Sequence, residues 1–199
     1  MNSPIKRAGA ILGVLAIAAA AMVGAAITAP SASVGQETKP HLLLELKDGV
    51  VDIELLPAVA PLHVERIVLL TERGDYNNVL FHRVIDGFMA QTGDVQYGKS
   101  DGPAFDPSWA GAGGSELPDV KAEFNAESFT RGAVGAARTQ QPDTFNSQFF
   151  ICFDDCTFLN GQYTVFGRVV SGMEAVDAIT RGEPPANPDK IISAKIENK

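Results

Sequence analysis

The chain of 199 residues is poor in the side chains from which many sites are built. It has two cysteines and three histidines. Two cysteines cannot make a disulfide scaffold or a four-cysteine zinc site, and His41, His63 and His82 leave little for any metal site. No Gly-rich phosphate loop, HExxH or G-x-S-x-G occurs, so nucleotide, zincin and serine-hydrolase chemistry have no motif to rest on. Positive charge is also short: 16 Lys and Arg stand against 24 Asp and Glu, a formal charge of −8. Such a field repels nucleic acid and anionic lipid, so neither is an expected partner. With 45% hydrophobic and 20% charged residues, the composition is that of a globular protein.

What is present begins with an unusual amino terminus. Lys6 and Arg7 precede an uncharged stretch over residues 8–27, followed by Ala29-Pro30-Ser31-Ala32-Ser33. A basic start, an apolar stretch and a small-residue exit read as an export signal, with cleavage expected after Ser33. An uncleaved anchor is the alternative, since twenty apolar residues just span a bilayer. On either reading residues 34–199 lie outside the cytoplasm, in the periplasm or anchored to the inner membrane facing it. The expected organisation is a signal or anchor over 1–33 and one domain over 34–199.

The domain opens with alternation. Leu42, Leu44 and Leu46, then Asp48-Gly49, then Val51, Ile53 and Leu55 predict a β-hairpin with one buried face. Residues 59–73 change to helical spacing, with Pro61 suited to the first turn and Gly74 to the exit. The runs LFHRVI, GFMAQTGD, GAVGAA, SQFFICF and YTVFGRVV predict short strands of a barrel or sandwich. Residues 95–118 read as a long surface loop. Ser171-Gly172-Met173-Glu174 has capping-box spacing and predicts a second helix through Ile179, stopped by Gly182. Ile192, Ala194 and Ile196 predict a closing strand. The histidines are assigned surface or packing roles, and Asp154-Asp155 a solvated turn.

Three segments carry more information: Phe81-His82-Arg83-Val84-Ile85-Asp86-Gly87-Phe88-Met89-Ala90-Gln91-Thr92-Gly93-Asp94, then Asn146-Ser147-Gln148-Phe149-Phe150-Ile151, then Phe158-Leu159-Asn160-Gly161-Gln162-Tyr163-Thr164-Val165-Phe166-Gly167. In order and spacing they resemble the signature segments of the cyclophilins, the peptidyl-prolyl cis–trans isomerases, over residues 41–196. The resemblance implies an eight-stranded antiparallel β-barrel capped by two α-helices. It implies proline-containing, unfolded or partly folded polypeptides as partners, a monomer, and neither cofactor nor metal. It implies Arg83 and Gln91 as catalytic residues. It places Phe88, Met89, Phe150 and Leu159 around a proline pocket, Gln148 on the substrate backbone, and Ala137 and Gly111 along the peptide groove. Phe81, Phe149 and Phe166 are assigned to the core.

Prolyl isomerisation suits such a residue set, because no bond is made or broken. The X–Pro amide turns through a twisted state, over a barrier of about 18–20 kcal/mol, and the prolyl nitrogen regains a lone pair there. A fixed donor that meets that lone pair binds the twisted state better than either planar one. Arg83, always charged and with its N–H groups in a rigid fork, is that donor. A proline-peptide binding module without turnover is the second reading.

Three departures from the familiar pattern stand out. Phe158 and Tyr163 replace the Trp and His of many eukaryotic members, as in the bacterial branch, and Asp86 replaces the usual Pro and alters groove charge. Cys152 and Cys156 lie four apart. A straight strand would hold their Cα atoms about 13 Å apart, whereas a turn at Asp154-Asp155 brings them within disulfide reach. A disulfide restraining the pocket wall and a pair of free thiols are both open on the sequence. Phe158 lacks the indole N–H that Trp-bearing members offer cyclosporin, so fluorescence titration is expected to show weak cyclosporin binding, and sub-micromolar inhibition would contradict this.

Overall fold

The structure is a computed structural model that describes residues 38–199. The expected signal or anchor over 1–33 lies outside the described residues. Among the described residues no helix is long and apolar enough to cross a membrane.

The opening hairpin forms as the alternation dictates. β1 (Pro40–Leu46) pairs with β2 (Gly49–Leu55), Leu42 opposite Ile53 and Leu44 opposite Val51. These four side chains are fully buried. One buried face is not the whole account, because Leu43 on the opposite face is also 92% covered, at 8% exposure.

The helix read over 59–73 is α1, Pro61–Glu72, with Pro61 in its first turn. Ala60 gives it no side-chain cap. Instead Glu123, from a distant loop, accepts from the backbone N–H groups of Leu62 and His63 at 3.1 and 3.0 Å, and bonds His63 Nδ1 at 2.7 Å. Two orphan donors and a buried imidazole are thus satisfied by one carboxylate. At the other end Asp75 N–H reaches Leu70 O and Gly74 N–H reaches Thr71 O, with Gly74 at φ 74°. This is the Schellman arrangement for which glycine is the favoured residue.

The eight-stranded sheet runs in the order β10-β1-β2-β8-β6-β7-β5-β4, where β4 is Arg83–Ile85, β5 Met89–Thr92, β6 Ala133–Ala136, β7 Phe149–Cys152, β8 Val165–Ser171 and β10 Ser193–Asn198. Every pairing in it is antiparallel. The eight antiparallel strands match the number expected, and the closing strand predicted near Ile192–Ile196 is β10 against β1.

Two expectations need correction. The LFHRVI run is not one strand: Val79–Leu80 forms β3, pairing with β9 (Lys190–Ile191) in a separate two-stranded sheet, before the chain turns into β4. The capping box does not form: α2 spans Met173–Asp177, and its N-cap is Gly172 at φ 86° with no side-chain cap. A Cβ at Gly172 would lie 2.1 Å from Val50 O, so the close approach to β2 takes the cap position from Ser171, which ends β8. Of the two roles open to the histidines, surface or packing, the structure shows packing: His41, His63 and His82 are all at least 92% covered, with exposures of 8%, 1% and 6%.

Strand alternation divides the apolar residues into two clusters. Val84, Ala90, Val134 and Ile151 face an inner core together with Phe81, Phe149 and Phe166. Met89, Phe150 and Cys152 face the other way, into a second cluster with Phe129, Ala133, Leu159 and Val165.

Removing the remote cap tests this account of α1. Glu123→Ala is expected to lower unfolding free energy by about 2–3 kcal/mol, because charged caps and buried donors are costly to lose. Urea titration measures it, and a change under 0.5 kcal/mol would contradict the assignment.

Candidate active site

Register builds the site. Arg83 pairs with Gln91, Gln91 with Phe150, and Phe150 with Gly135, so four strands place these residues in one row. One step along, Ile85, Met89 and Cys152 form the next row on the same face. Strands lie about 4.8 Å apart, so the backbones of Arg83 and Phe150, two strands apart, are separated by about 10 Å.

Gly135 closes the row because nothing larger fits. A Cβ there would lie 2.4 Å from Phe150 Cζ and 2.5 Å from Phe129 Cε1. Phe129 stacks on Phe150 with centroids 5.6 Å apart, and Tyr163 meets it edge-on at 6.0 Å. The Arg138 guanidinium lies 4.2 Å above the Tyr163 ring. Phe150 is thereby fixed on three sides.

Above these rings is a cavity of about 320 Å³. Met89, Phe150 and Leu159 are buried in its floor, and Phe158, from the 3-10 turn Thr157–Leu159, stands on its rim at 62% exposure. Phe88 packs against Phe158 at 5.3 Å. Arg83, Gln91, Ala137, Arg138 and Tyr163 complete the lining. Ten residues line this cavity, and nine of them are expected from the sequence: Arg83, Phe88, Met89, Gln91, Ala137, Phe150, Phe158, Leu159 and Tyr163. The tenth, Arg138, lies outside the three segments and is not among the residues expected there.

Gln148 and Gly111 lie to one side, in an adjoining groove of about 500 Å³ lined also by Gly113, Ser115 and Asn146. Gln148 Nε2 donates to Gly111 O and Gly113 O at 2.9 and 2.8 Å, and Gln148 Oε1 accepts from Gln91 Nε2 at 2.9 Å. Gln91 therefore faces Arg83 across the ladder, while its amide N–H is given to Gln148. The groove loop is fixed from below by Asp94, which ends the first signature segment and is fully buried. Its Oδ1 accepts from Gln96 and Tyr97 N–H, and its Oδ2 from Gly111 and Gly113 N–H, all at 2.7–3.0 Å. Gly111 has φ 100°, and a Cβ there would lie 2.7 Å from His82 Cδ2. The carboxylate is legible as part of the segment, but its four partners come from loop geometry that the sequence does not specify.

Asp86 is turned to Arg181, with Oδ1 accepting from Nε at 3.1 Å, and it does not line the cavity. Cys152 and Cys156 are free thiols, so the disulfide alternative is not realised in this structure. Cys156 Sγ points to Phe88 O at 3.4 Å and Asp154 O at 3.6 Å. Burial pushes the Cys152 thiol well above the ordinary thiol range and raises that of Cys156, which disfavours the thiolate needed for nucleophilic or redox work. Among the described residues no cluster of three His, Cys, Asp or Glu could hold a metal ion. The ionisable groups that line the cavity are Arg83, Arg138 and Tyr163. This arrangement can grip an apolar ring and donate hydrogen bonds; it offers no nucleophile or general base.

Two measurements test this construction. In Gly135→Ala the new methyl must displace Phe150 or Phe129, so peptide binding is expected to weaken at least tenfold and stability to fall by about 1–3 kcal/mol; calorimetric titration with a prolyl peptide reads the first, and unchanged binding would contradict the packing. Burial holds the imidazoles of His63 and His82 below the ordinary value of 6.5. The unfolded chain therefore takes up protons near that pH that the fold refuses, and stability present above it is lost as pH falls. The urea midpoint is expected to drop between pH 7 and pH 5, and less steeply in His82→Gln; a flat profile would contradict it.

Comparison with known proteins agrees with the geometry. The family model described as cyclophilin type peptidyl-prolyl cis-trans isomerase/CLD matches residues 41–196. A protein of Brucella suis described as a probable peptidyl-prolyl cis-trans isomerase is 54% identical over 187 residues, covering 92% of this chain and 95% of the relative. Peptidyl-prolyl cis-trans isomerase A of Dickeya dadantii is 36% identical, covering 92% and 98%. Among solved structures, cyclophilin AquaCyp293 of Hirschia baltica superposes with a TM-score of 0.66 at 28% identity, over 77% of this chain and 72% of its own. A Cryptosporidium parvum cyclophilin type peptidyl-prolyl cis-trans isomerase, crystallised in the presence of the dipeptide Ala-Pro, gives 0.67 at 25% identity, over 80% and 99%. A curled antiparallel sheet, a phenylalanine-floored cavity with an arginine on its lip and these relatives converge: the chain belongs to the cyclophilin-type peptidyl-prolyl cis–trans isomerases.

Proposed function

We propose that the enzyme turns X–Pro bonds of exported polypeptides by donating from Arg83 to the prolyl nitrogen while the ring is held over Phe150. One observation carries the mechanism: Arg83 stands at the lip of the cavity whose floor is Phe150, Met89 and Leu159, in the same cross-strand row as Phe150. The cavity grips the ring and the preceding carbonyl swings. Gln148, bonded to the Gly111 and Gly113 carbonyls, sits where the flanking peptide backbone passes. Export is supported by the basic and apolar pattern of residues 1–33.

Energetics set the division of labour. An acceleration of about five decades needs about 7 kcal/mol. One preorganised donor supplies about 3–4 kcal/mol. The remainder comes from immobilising the ring in a dry, preformed slot.

Arg83→Ala is therefore expected to lose about 10²–10³ in kcat/KM while peptide affinity falls far less. NMR exchange on a short Ala-Pro-Phe peptide measures it, and a variant of full rate would refute the arginine's role. In the same experiment, peptide binding by the native protein without faster exchange would favour a binding module. Amino-terminal sequencing of the mature protein checks export, with Val34 as the expected first residue.

A further inference from the structure

β4 is the edge strand of the sheet, yet it does not end at solvent. Val84 exchanges both backbone hydrogen bonds with Gly182, each 2.8 Å. That antiparallel bridge fixes the neighbours: position 183 falls opposite Arg83, and position 181 opposite Ile85. Glu183 Oε1 accepts from Arg83 Nε at 2.5 Å. No other hydrogen bond of the Arg83 side chain forms among the described residues, so its two Nη groups are left for substrate.

The segment is held independently of that ion pair. Arg181 donates to Asp177 O and Ile179 O at 2.8 and 2.5 Å, and its guanidinium lies 4.0 Å above the Phe153 ring. Its Nε pairs with Asp86 at 3.1 Å. Gly182 has φ 151°, and a Cβ there would lie 2.4 Å from Pro185 Cα, so the bend that delivers Glu183 requires glycine. Arg83 forms a ridge between the proline cavity and a second cavity of about 400 Å³, and Glu183 lines only the second. The carboxylate therefore holds the guanidinium from the side away from the proline.

We infer that Glu183 is a positioning residue for Arg83: delivered by the Val84–Gly182 bridge, it takes the Nε–H and fixes the fork in which the remaining donors meet the turning amide. This rests on the isomerase reading above. An ion pair this exposed, with side chains 39% and 56% accessible, adds little to stability, so its effect lies in orientation. Arginine is free to rotate over many rotamers, and a donor that must be aimed loses rate when it wanders.

The test is a set of variants in the NMR exchange assay. Glu183→Ala is expected to lower kcat/KM about five- to tenfold, mainly through kcat, with an unchanged melting temperature. Glu183→Gln, whose amide oxygen still accepts from Nε, should return to within about twofold of the native rate. In an Arg83→Lys background, which lacks the Nε–H, Glu183→Ala should cost nothing further. Native kcat/KM in Glu183→Ala, or an equal loss in the Lys background, would overturn the inference. The Arg83 Nε–H resonance of the full chain gives an independent reading: its shift and exchange protection should change in Glu183→Ala, and an unchanged resonance overturns the inference whatever the rates. If the native protein fails to speed exchange at all, the isomerase reading fails, while the resonance still decides whether Glu183 holds Arg83.

Discussion

Where the backbone of β6 carries no side chain, the Phe150 ring lies across it. The space over Gly135 is filled by the Phe150 and Phe129 rings, and the next two strands of the row carry Gln91 and Arg83. Ring and guanidinium are thus placed by one ladder, whose strand spacing is fixed by backbone hydrogen bonds. The aromatic neighbours prevent the ring from tipping, and Arg83 lines the same cavity from two strands away. A reaction that consists of holding one group and turning another suits such a frame.

The polar half of the site is built differently. Its donors and acceptors run in a chain from Asp94 through the Gly111 and Gly113 peptides to Gln148 and on to Gln91. Gly111 and Gly113 each give their N–H to the buried carboxylate and their C=O to the Gln148 amide. A loop without regular structure gains definition this way, because side chains take up the backbone groups of Gly111 and Gly113 that no ladder pairs. Asn146 does the same further along, accepting from Ser115 N–H and donating to Leu117 O.

Much of this could be read in the chain itself, for physical reasons. Period-two alternation located the hairpin, and helical spacing with Pro61 and Gly74 located α1, because these signals are local. The three signature segments hold eight of the ten residues that line the cavity, because these fall within short contiguous stretches. What escaped depends on distant partners. Glu123 caps α1 from 60 residues away, Glu183 meets Arg83 across 100 residues, and nothing local to either residue marks it. The capping box at Ser171 failed for the converse reason: a good local signal was overruled by the approach of β2 to Gly172. The cysteine spacing leaves pairing open, and in this structure both thiols are free, with Cys156 turned toward Phe88 O.

The two apolar clusters divide the molecule's labour. The inner one carries most of the largest buried residues, among them Phe81, Phe149 and Phe166, whereas the pocket floor, with Phe129 beneath it, belongs to the outer one. Adjacent residues of the same strand serve different masters, Ile151 the interior and Phe150 the pocket. A lineage can therefore reshape the rim, as with Phe158 and Tyr163, without disturbing the packing that keeps the chain folded. Evolvability here is a consequence of pleating: the scaffold and the workshop are opposite sides of one sheet.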